Sequence, residues 1–254
     1  MLEDTTITID CVIGTRPEAI KLAPLIRALR KKPDHFRTRI LATAQHREML
    51  DQVLNVFSLT PDTDLNLMRP GQTLSDLTAR ALDSLSGYLK RNRPDLVLGQ
   101  GDTTTTMTAA LACFYLRIPF AHVEAGLRTG DLYAPYPEEF NRRVAGLLAA
   151  YHFAPTRSAA GNLKREGVDP ATVYVTGNTV IDALLYTLKN TETPPSPIPP
   201  DRPYILMTCH RREIFGDPIR EVFHAARAFA ASHPETVIWY PVHPDPNVNE
   251  PAEE

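Results

Sequence analysis

The run Gly126-Leu-Arg-Thr-Gly-Asp-Leu-Tyr-Ala-Pro-Tyr-Pro-Glu-Glu139, preceded by His122-Val-Glu-Ala125, places two acids, Glu124 and Glu138, on a short Gly/Pro-rich segment. That segment joins an apolar run to a helix-like one. A loop between two buried elements needs few charges for its own sake, so carboxylates held there suit proton transfer or contacts to a polar ligand. A helix start explains Glu139 well and Glu138 in part, because acids after Pro137 complement the helix dipole. It does not explain Glu124, which directly follows the apolar stretch 118–123. For Glu124 a functional role is the better account.

Other polar residues cluster after apolar runs in the same way. Gly14-Thr-Arg-Pro-Glu18 follows the first run. Thr15 and Glu18 have capping-box spacing, and Gly14 permits a tight turn. A well-capped helix accounts for all of these except Arg16. An arginine at a helix N-terminus opposes the dipole unless an anion sits there, and a phosphate is the natural candidate. Thr43-Ala-Gln-His-Arg47 follows the second run, and Gln100-Gly-Asp-Thr-Thr-Thr-Thr106 a later one. One threonine or Asp102 can cap the helix that starts there, which leaves the other hydroxyls to face a ligand. Capping and ligand contact account equally well for Asp102. Further on, Thr208-Cys-His-Arg-Arg-Glu213 holds the same kind of place. His210 alone reads as a surface histidine, and Arg211 and Arg212 beside it favour a polyanionic ligand.

These residues need a frame, and the hydropathy pattern supplies one. Short apolar runs at 7–13, 38–43, 96–98, 120–123, 152–154 and 173–176 read as buried strands. Helical spacing appears at 18–30, 47–57, 74–91, 104–116, 139–150, 159–166 and 179–189. Pro24 sits inside the first helix, where it can kink it. Strands alternating with helices predict a doubly wound α/β domain over residues 1–190. Residues 191–203 hold six prolines in thirteen positions and read as a stiff linker. The alternation restarts in residues 204–254, with strands at 205–208 and 237–241, a helix at 219–231 and a polar, Pro-rich tail at 245–254. Two strands and one helix cannot close a core, so this second domain reads as incomplete.

Composition narrows the function classes. The chain has 254 residues, 43% hydrophobic and 22% charged, with a formal charge of −3. Nothing recommends nucleic acid or an anionic membrane as partner. No signal peptide or membrane span is legible. Cys11, Cys113 and Cys209 are far apart and odd in number, as expected of reduced thiols in the cytoplasm. The first turn is not G-x-G-x-x-G, and no phosphate-cradling G-x-x-x-x-G-K-[ST] or G-x-S-x-G elbow occurs. The eight histidines are scattered, without metal-ligand spacing. The chemistry left is acid–base work on a phosphorylated ligand, with neither metal nor redox cofactor.

The motifs G-T-R-P-E-A-I-K at 14–21, T-A-Q-H-R-E-M-L-D-Q-V-L at 43–54, G-D-T-T-T-T at 101–106, H-V-E-A-G-L-R-T-G-D at 122–131, P-E-E at 137–139, T-G-N-T-V-I-D-A-L at 176–184, H-R-R-E at 210–213 and Y-P-V-H at 240–243 resemble those of the bacterial non-hydrolysing UDP-N-acetylglucosamine 2-epimerases. The resemblance implies two Rossmann-like domains in a glycosyltransferase-B arrangement, with the active site in their cleft. It implies interconversion of UDP-N-acetylglucosamine and UDP-N-acetylmannosamine, a homodimer, and a place in cell-surface polysaccharide biosynthesis. It makes Asp102, Glu124 and Glu138 catalytic acids and His210 an active-site histidine. It puts Arg16 and Lys21 near the diphosphate, with Arg211 adding a further cation for it. It sets Gln45 in the segment near a second, activating UDP-N-acetylglucosamine. Two departures stand out. The family's C-terminal third, with its T-D-S-G-G-x-Q-E-E segment, is absent, and Cys209 stands where glycine is expected. The chain as given is therefore expected to be a poor or inactive catalyst.

The chemistry is consistent with elimination. C2 of the sugar bears an acetamido group and adjoins no carbonyl, so its hydrogen is not acidic. Loss of UDP lets C2–H ionise as the C1–O bond breaks, and re-addition follows with reprotonation on the other face. That needs a base, an acid, and cations for the diphosphate. The rival readings are a glycosyltransferase-B-type sugar transferase, a hydrolysing epimerase, and a non-catalytic fragment.

Overall fold

Strands with apolar residues on both faces can be satisfied only inside a sheet covered on each side. The computed structural model describes residues 6–43, 47–67, 69, 71–192, 195–211 and 214–253, with the side chains of residues 47–49 left out. They divide into two compact units, the first ending at Thr191 and the second beginning at Glu192.

The first unit is a seven-stranded, wholly parallel sheet in the order β3-β2-β1-β4-β5-β6-β7. Its strands are β1 (Ile7–Ile13), β2 (Phe36–Ala42), β3 (Thr63–Asp64), β4 (Leu96–Gln100), β5 (Phe120–Val123), β6 (Tyr151–Ala154) and β7 (Val173–Val175). Between them run α1 (Arg16–Arg30), α2 (Arg47–Val56), α3 (Leu74–Asn92), α4 (Thr104–Leu116), α5 (Glu138–Leu148), α6 (Arg157–Arg165) and α7 (Thr179–Asn190). The predicted strands and helices are present, and α1 runs on through Pro24. The two-residue β3 carries no apolar signal and was not predicted.

Two cores sandwich the sheet. Leu22 and Ile26 of α1, Leu50 and Leu54 of α2 and Ala183 of α7 pack with Cys11, Ile13 and Ile40. Leu85 and Leu89 of α3, Ala109 and Cys113 of α4 and Ala145 of α5 pack with Val12, Leu41 and Val97. Alternate residues of β1 and β2 thus feed opposite cores, as a pleated strand requires. Each fully buried Leu or Ile contributes roughly 1.5–3 kcal/mol. All three cysteines are free and buried.

The second unit pairs β8 (Tyr204–Leu206) with β9 (Val237–Trp239) in parallel and adds α8 (Asp217–Ser232). The predicted polar tail is corrected here: residues 246–253 form a helix, α9 (Pro246–Glu253). Pro246 suits the first turn of a helix, and the Asp245 carboxylate accepts from the Asn247 amide 2.9 Å away. Val248 is then fully buried with Ile219 and Cys209, so this unit has a small apolar cluster of its own. Tyr204, Ile205, Leu206 and Trp239 remain exposed.

One glycine of the first unit has no room for change. Gly126 has φ +86°, and a Cβ there would lie 2.3 Å from the Ala159 carbonyl oxygen. Gly126→Ala is expected to cost more than about 2 kcal/mol, from left-handed strain plus the clash. The thermal midpoint should fall by about 4 °C or more; an unchanged melting curve would contradict this packing.

Candidate active site

β1 and β4 are neighbours, yet the helices that follow them cover opposite faces of the sheet. The turns after these strands therefore diverge, and in open parallel sheets ligands bind in such a crevice. Here the two turns still touch. A Cβ on Gly14 would lie 2.2 Å from the Thr105 hydroxyl and 2.7 Å from that of Thr43. Only glycine allows this approach. Glu18, fully buried, accepts from the Gly14 and Thr15 amides at 2.8 and 2.6 Å. Its other oxygen accepts from the Thr103 and Thr106 hydroxyls at 2.5 and 3.0 Å.

The cap of α4 decides between the two readings of Asp102. Thr103 caps the helix by accepting from the Thr106 amide, so Asp102 is left to face outward. The expectation that the remaining threonine hydroxyls face a ligand is corrected for Thr105 and Thr106. Thr105 bonds to Thr43, and the single hydroxyl hydrogen of Thr106 is shared between the Gln100 carbonyl at 2.7 Å and Glu18 at 3.0 Å. Buried hydroxyls need partners, and the nearest ones are internal.

Asp102 itself is held from several elements. Arg142 of α5 meets its carboxylate at 2.8 Å, and the Asn141 side chain donates to its carbonyl at 3.0 Å. The preceding Gly101, at φ +76°, donates its amide to the Val123 carbonyl. Its own carbonyl accepts from His122 Nε2 at 2.7 Å. Burial pushes His122 down to about 4, so it stands as a neutral positioning group.

Glu124 ends β5 in the left-handed region, at φ +64°. A non-glycine residue there is strained, and such strain gathers at functional sites. Lys21 of α1 reaches its carboxylate at 2.7 Å, and the Asn178 side chain donates to it at 3.1 Å. Glu138 opens α5, and Glu139 beside it is buried with Arg143 at 2.9 Å and the Thr129 amide at 3.1 Å. Glu139 is thus a structural residue, as its place in the helix predicts, while Glu138 lies close enough to Asp102 to act on its charge. Burial pushes the Asp102 carboxyl above its ordinary value. Arg142 pulls it down, Glu138 and Glu124 push it further up, and Lys21 opposes them. Three carboxylates therefore share one edge of the sheet, two of them ion-paired. Carboxyl groups gathered with cations in a partly buried place suit proton transfer.

The remaining predicted residues fall as follows. Arg16 opens α1, is exposed, and makes no ion pair among the described residues. Lys21, expected near a diphosphate, is the partner of Glu124. Gln45 lies outside the described residues. His210 and Arg211 belong to the second unit, where His210 packs against His243 at 5.4 Å between ring centroids. Residues 209 and 210 thus meet residues 240 and 243 there, helped by Tyr240 donating to the Cys209 carbonyl at 2.6 Å. Among the described residues no cluster of His, Cys, Asp and Glu could hold a metal ion, and no helix is long and apolar enough to cross a membrane.

Sequence reasoning missed Arg142 and Asn178. The only signal for Arg142 is its place one helical turn after Glu138, which puts it on the same face of α5. Asn178 looks like a plain helix cap, and it does cap α7 through its carbonyl oxygen while its amide reaches Glu124.

Residues 27–254 match the family model described as UDP-N-acetylglucosamine 2-epimerase. The chain is 54% identical over 251 residues to the UDP-N-acetylglucosamine 2-epimerase of Escherichia coli O157:H7, covering 95% of this chain and 66% of that protein. It thus spans about two thirds of the length of that relative. Its fold is similar to that of the UDP-GlcNAc 2-epimerase from Neisseria meningitidis bound to UDP-GlcNAc, at a TM-score of 0.91 and 43% identity, over 97% of this chain and 69% of that one. The Methanocaldococcus jannaschii UDP-GlcNAc 2-epimerase in complex with UDP-GlcNAc and UDP gives a TM-score of 0.78 at 32% identity, over 97% and 68% of the two chains.

The charge arrangement has a direct test. The Asp102 carboxyl should titrate above the ordinary 3.8, followed by carboxyl-carbon NMR. Arg142→Ala should move it higher still, because the cation that favours the charged form is gone. A folded-state value above the unfolded one stabilises the fold below the unfolded value, and that contribution is lost as pH rises through the folded value. An Asp102 titration that ignores Arg142→Ala would dismiss the ion pair.

Proposed function

The chain belongs to the UDP-N-acetylglucosamine 2-epimerase family, and from that premise we propose that its protein interconverts UDP-N-acetylglucosamine and UDP-N-acetylmannosamine without hydrolysing them. The observation that carries this reading is the convergence of Asp102, Glu124 and Glu138, with Lys21 and Arg142 among them. Relatives described as bound to UDP-GlcNAc or to UDP-GlcNAc and UDP support a UDP-sugar as ligand.

The proposed reaction starts with departure of UDP from C1. The developing cation acidifies C2–H, and one of the three carboxylates takes that proton. Another returns a proton to the opposite face, and UDP adds back to C1. Each C–H bond broken is replaced by one formed, so no redox partner is required. Arg16 is assigned to the diphosphate: it is an exposed cation beside a helix N-terminus, where amides and dipole favour an anion. His210 and Arg211, in the second unit, are assigned to substrate binding on the family resemblance. Lys21 acts through Glu124, holding its carboxylate in place.

Further parts of the reading rest on the family resemblance and on smaller observations. Gln45 is assigned to a second, activating UDP-N-acetylglucosamine. A homodimer is supported by Phe114, Tyr115 and Leu147, large apolar side chains left exposed on the adjacent helices α4 and α5. Cytoplasmic residence fits three free thiols. The product would feed cell-surface polysaccharide biosynthesis.

In deuterated water, the full protein encoded by the reading frame should place deuterium at C2 and keep the sugar joined to UDP. Release of free N-acetylmannosamine would mark a hydrolysing epimerase instead. Asp102→Asn, Glu124→Gln and Glu138→Gln should each lower turnover roughly 10²–10⁴-fold, the scale of a positioned acid or base. Near-normal turnover in one of them removes that residue from the set. Arg16→Ala should weaken UDP binding by about 1.5–3 kcal/mol, measured by calorimetry, with the fold intact.

A further inference from the structure

Glu18 lies outside the reacting carboxylates, yet it is fully buried and has four hydrogen-bond partners. A helix cap needs only the Thr15 amide, three residues back. Glu18 does more. One oxygen takes the Gly14 and Thr15 amides, and the other takes the Thr103 and Thr106 hydroxyls from a different strand's turn. The Thr106 hydroxyl also reaches the Gln100 carbonyl, so the bond continues into the end of β4. The residues tied together flank the two groups that matter. Arg16 lies between Thr15 and Glu18, and Asp102 directly precedes Thr103. The tie crosses the crevice between β1 and β4, where no backbone ladder joins the two turns.

We propose that Glu18 is a positioning residue that fixes the spacing of the Arg16 turn and the Asp102 turn across the sheet's switch point. It touches no substrate. Its part in turnover, which rests on the epimerase reading above, is to keep the phosphate-binding cation and the proton-transfer carboxylate at one separation. A misplacement of about 1 Å in such a pair costs on the order of 100-fold in rate. The chemistry of the donors fits the task. Two amides and the Thr103 hydroxyl present hydrogens, and the Thr106 hydroxyl shares its one hydrogen with the Gln100 carbonyl, so a carboxyl group with two acceptor oxygens meets donors on both sides. Glutamine, of the same shape, would turn an NH2 toward one pair of donors. Aspartate would be one methylene short of reaching across.

Amide hydrogen exchange tests the tie without using turnover. In the full protein, Thr103→Val removes one hydroxyl donor on the β4 side. Exchange should rise about tenfold or more at Gly14 and Thr15, on the β1 side, which is the scale of one charge-assisted hydrogen bond. Thr103→Ser should restore protection. Glu18→Gln should loosen residues 14–18 and 101–106 together. If Glu18→Gln loosens only 14–18, or Thr103→Val leaves Gly14 and Thr15 unchanged, Glu18 is a local helix cap and the proposal is overturned. Should Glu18→Gln fail to fold, the Thr103 pair decides alone. Deuterium exchange at C2 then tests the role in turnover. Thr103→Val should lower kcat at least tenfold with KM changed less than threefold, and Thr103→Ser should stay near wild type. A Thr103→Val enzyme that melts earlier but keeps wild-type kcat would reduce Glu18 to a structural residue. If the wild-type protein itself exchanges no C2 hydrogen, the epimerase reading fails, and the amide measurement still decides the tie.

Discussion

The crossovers that carry α1 to one face of the sheet and α4 to the other force the turns after β1 and β4 apart. At that point the sheet's own hydrogen bonds end, and amides, hydroxyls and side chains must find other partners. Much of the first unit's edge follows from how they do so. Gly14 lets the β1 turn touch Thr105 and Thr43, and Glu18 gathers donors from both sides. Thr103 takes over the cap of α4. Asp102 is then the polar group of its turn that remains turned toward the crevice.

A second consequence is electrostatic. Parallel strands all end on one edge, so acids placed after β4 and β5 and at the start of α5 come close together. Burial raises the pKa of Asp102, and the like charges of Glu138 and Glu124 push it further up. The fold answers with cations from other elements: Lys21 from α1 for Glu124, and Arg142 from α5 for Asp102. Removing one partner of either pair would leave a partly buried charge unmet, which costs more than the loss of a surface pair. Glu124 also bears backbone strain, which its lysine and asparagine partners help to hold.

The second unit shows the same logic on a smaller scale. Two parallel strands bring the residues after β8 and β9 side by side, so the His210 ring lies tilted against that of His243 and Tyr240 reaches the Cys209 carbonyl. Its apolar cluster is small and depends on Val248 from a helix whose sequence is polar overall. A short helix anchored by Val248 and Pro251 alone shows too little periodicity to betray it, which is why residues 245–254 read as a tail.

The order of the elements in the first unit was legible in the chain because burial in a parallel sheet demands apolar runs, and covering helices demand apolar residues at helical spacing. The place of Glu124 at the end of an apolar run, and of Asp102 ahead of a threonine cluster, was legible for the same reason. Family motifs then singled out both residues, with Glu138. What sequence could not supply was pairing across distance. Whether Thr103 or Asp102 caps α4 depends on Glu18, eighty-five positions away. That Lys21 meets Glu124, and Arg142 meets Asp102, depends on where α1 and α5 lie against the sheet. Local propensity fixes which residues form an element, while side-chain partners are chosen by desolvation and charge once the elements have packed, and only the tertiary structure decides those.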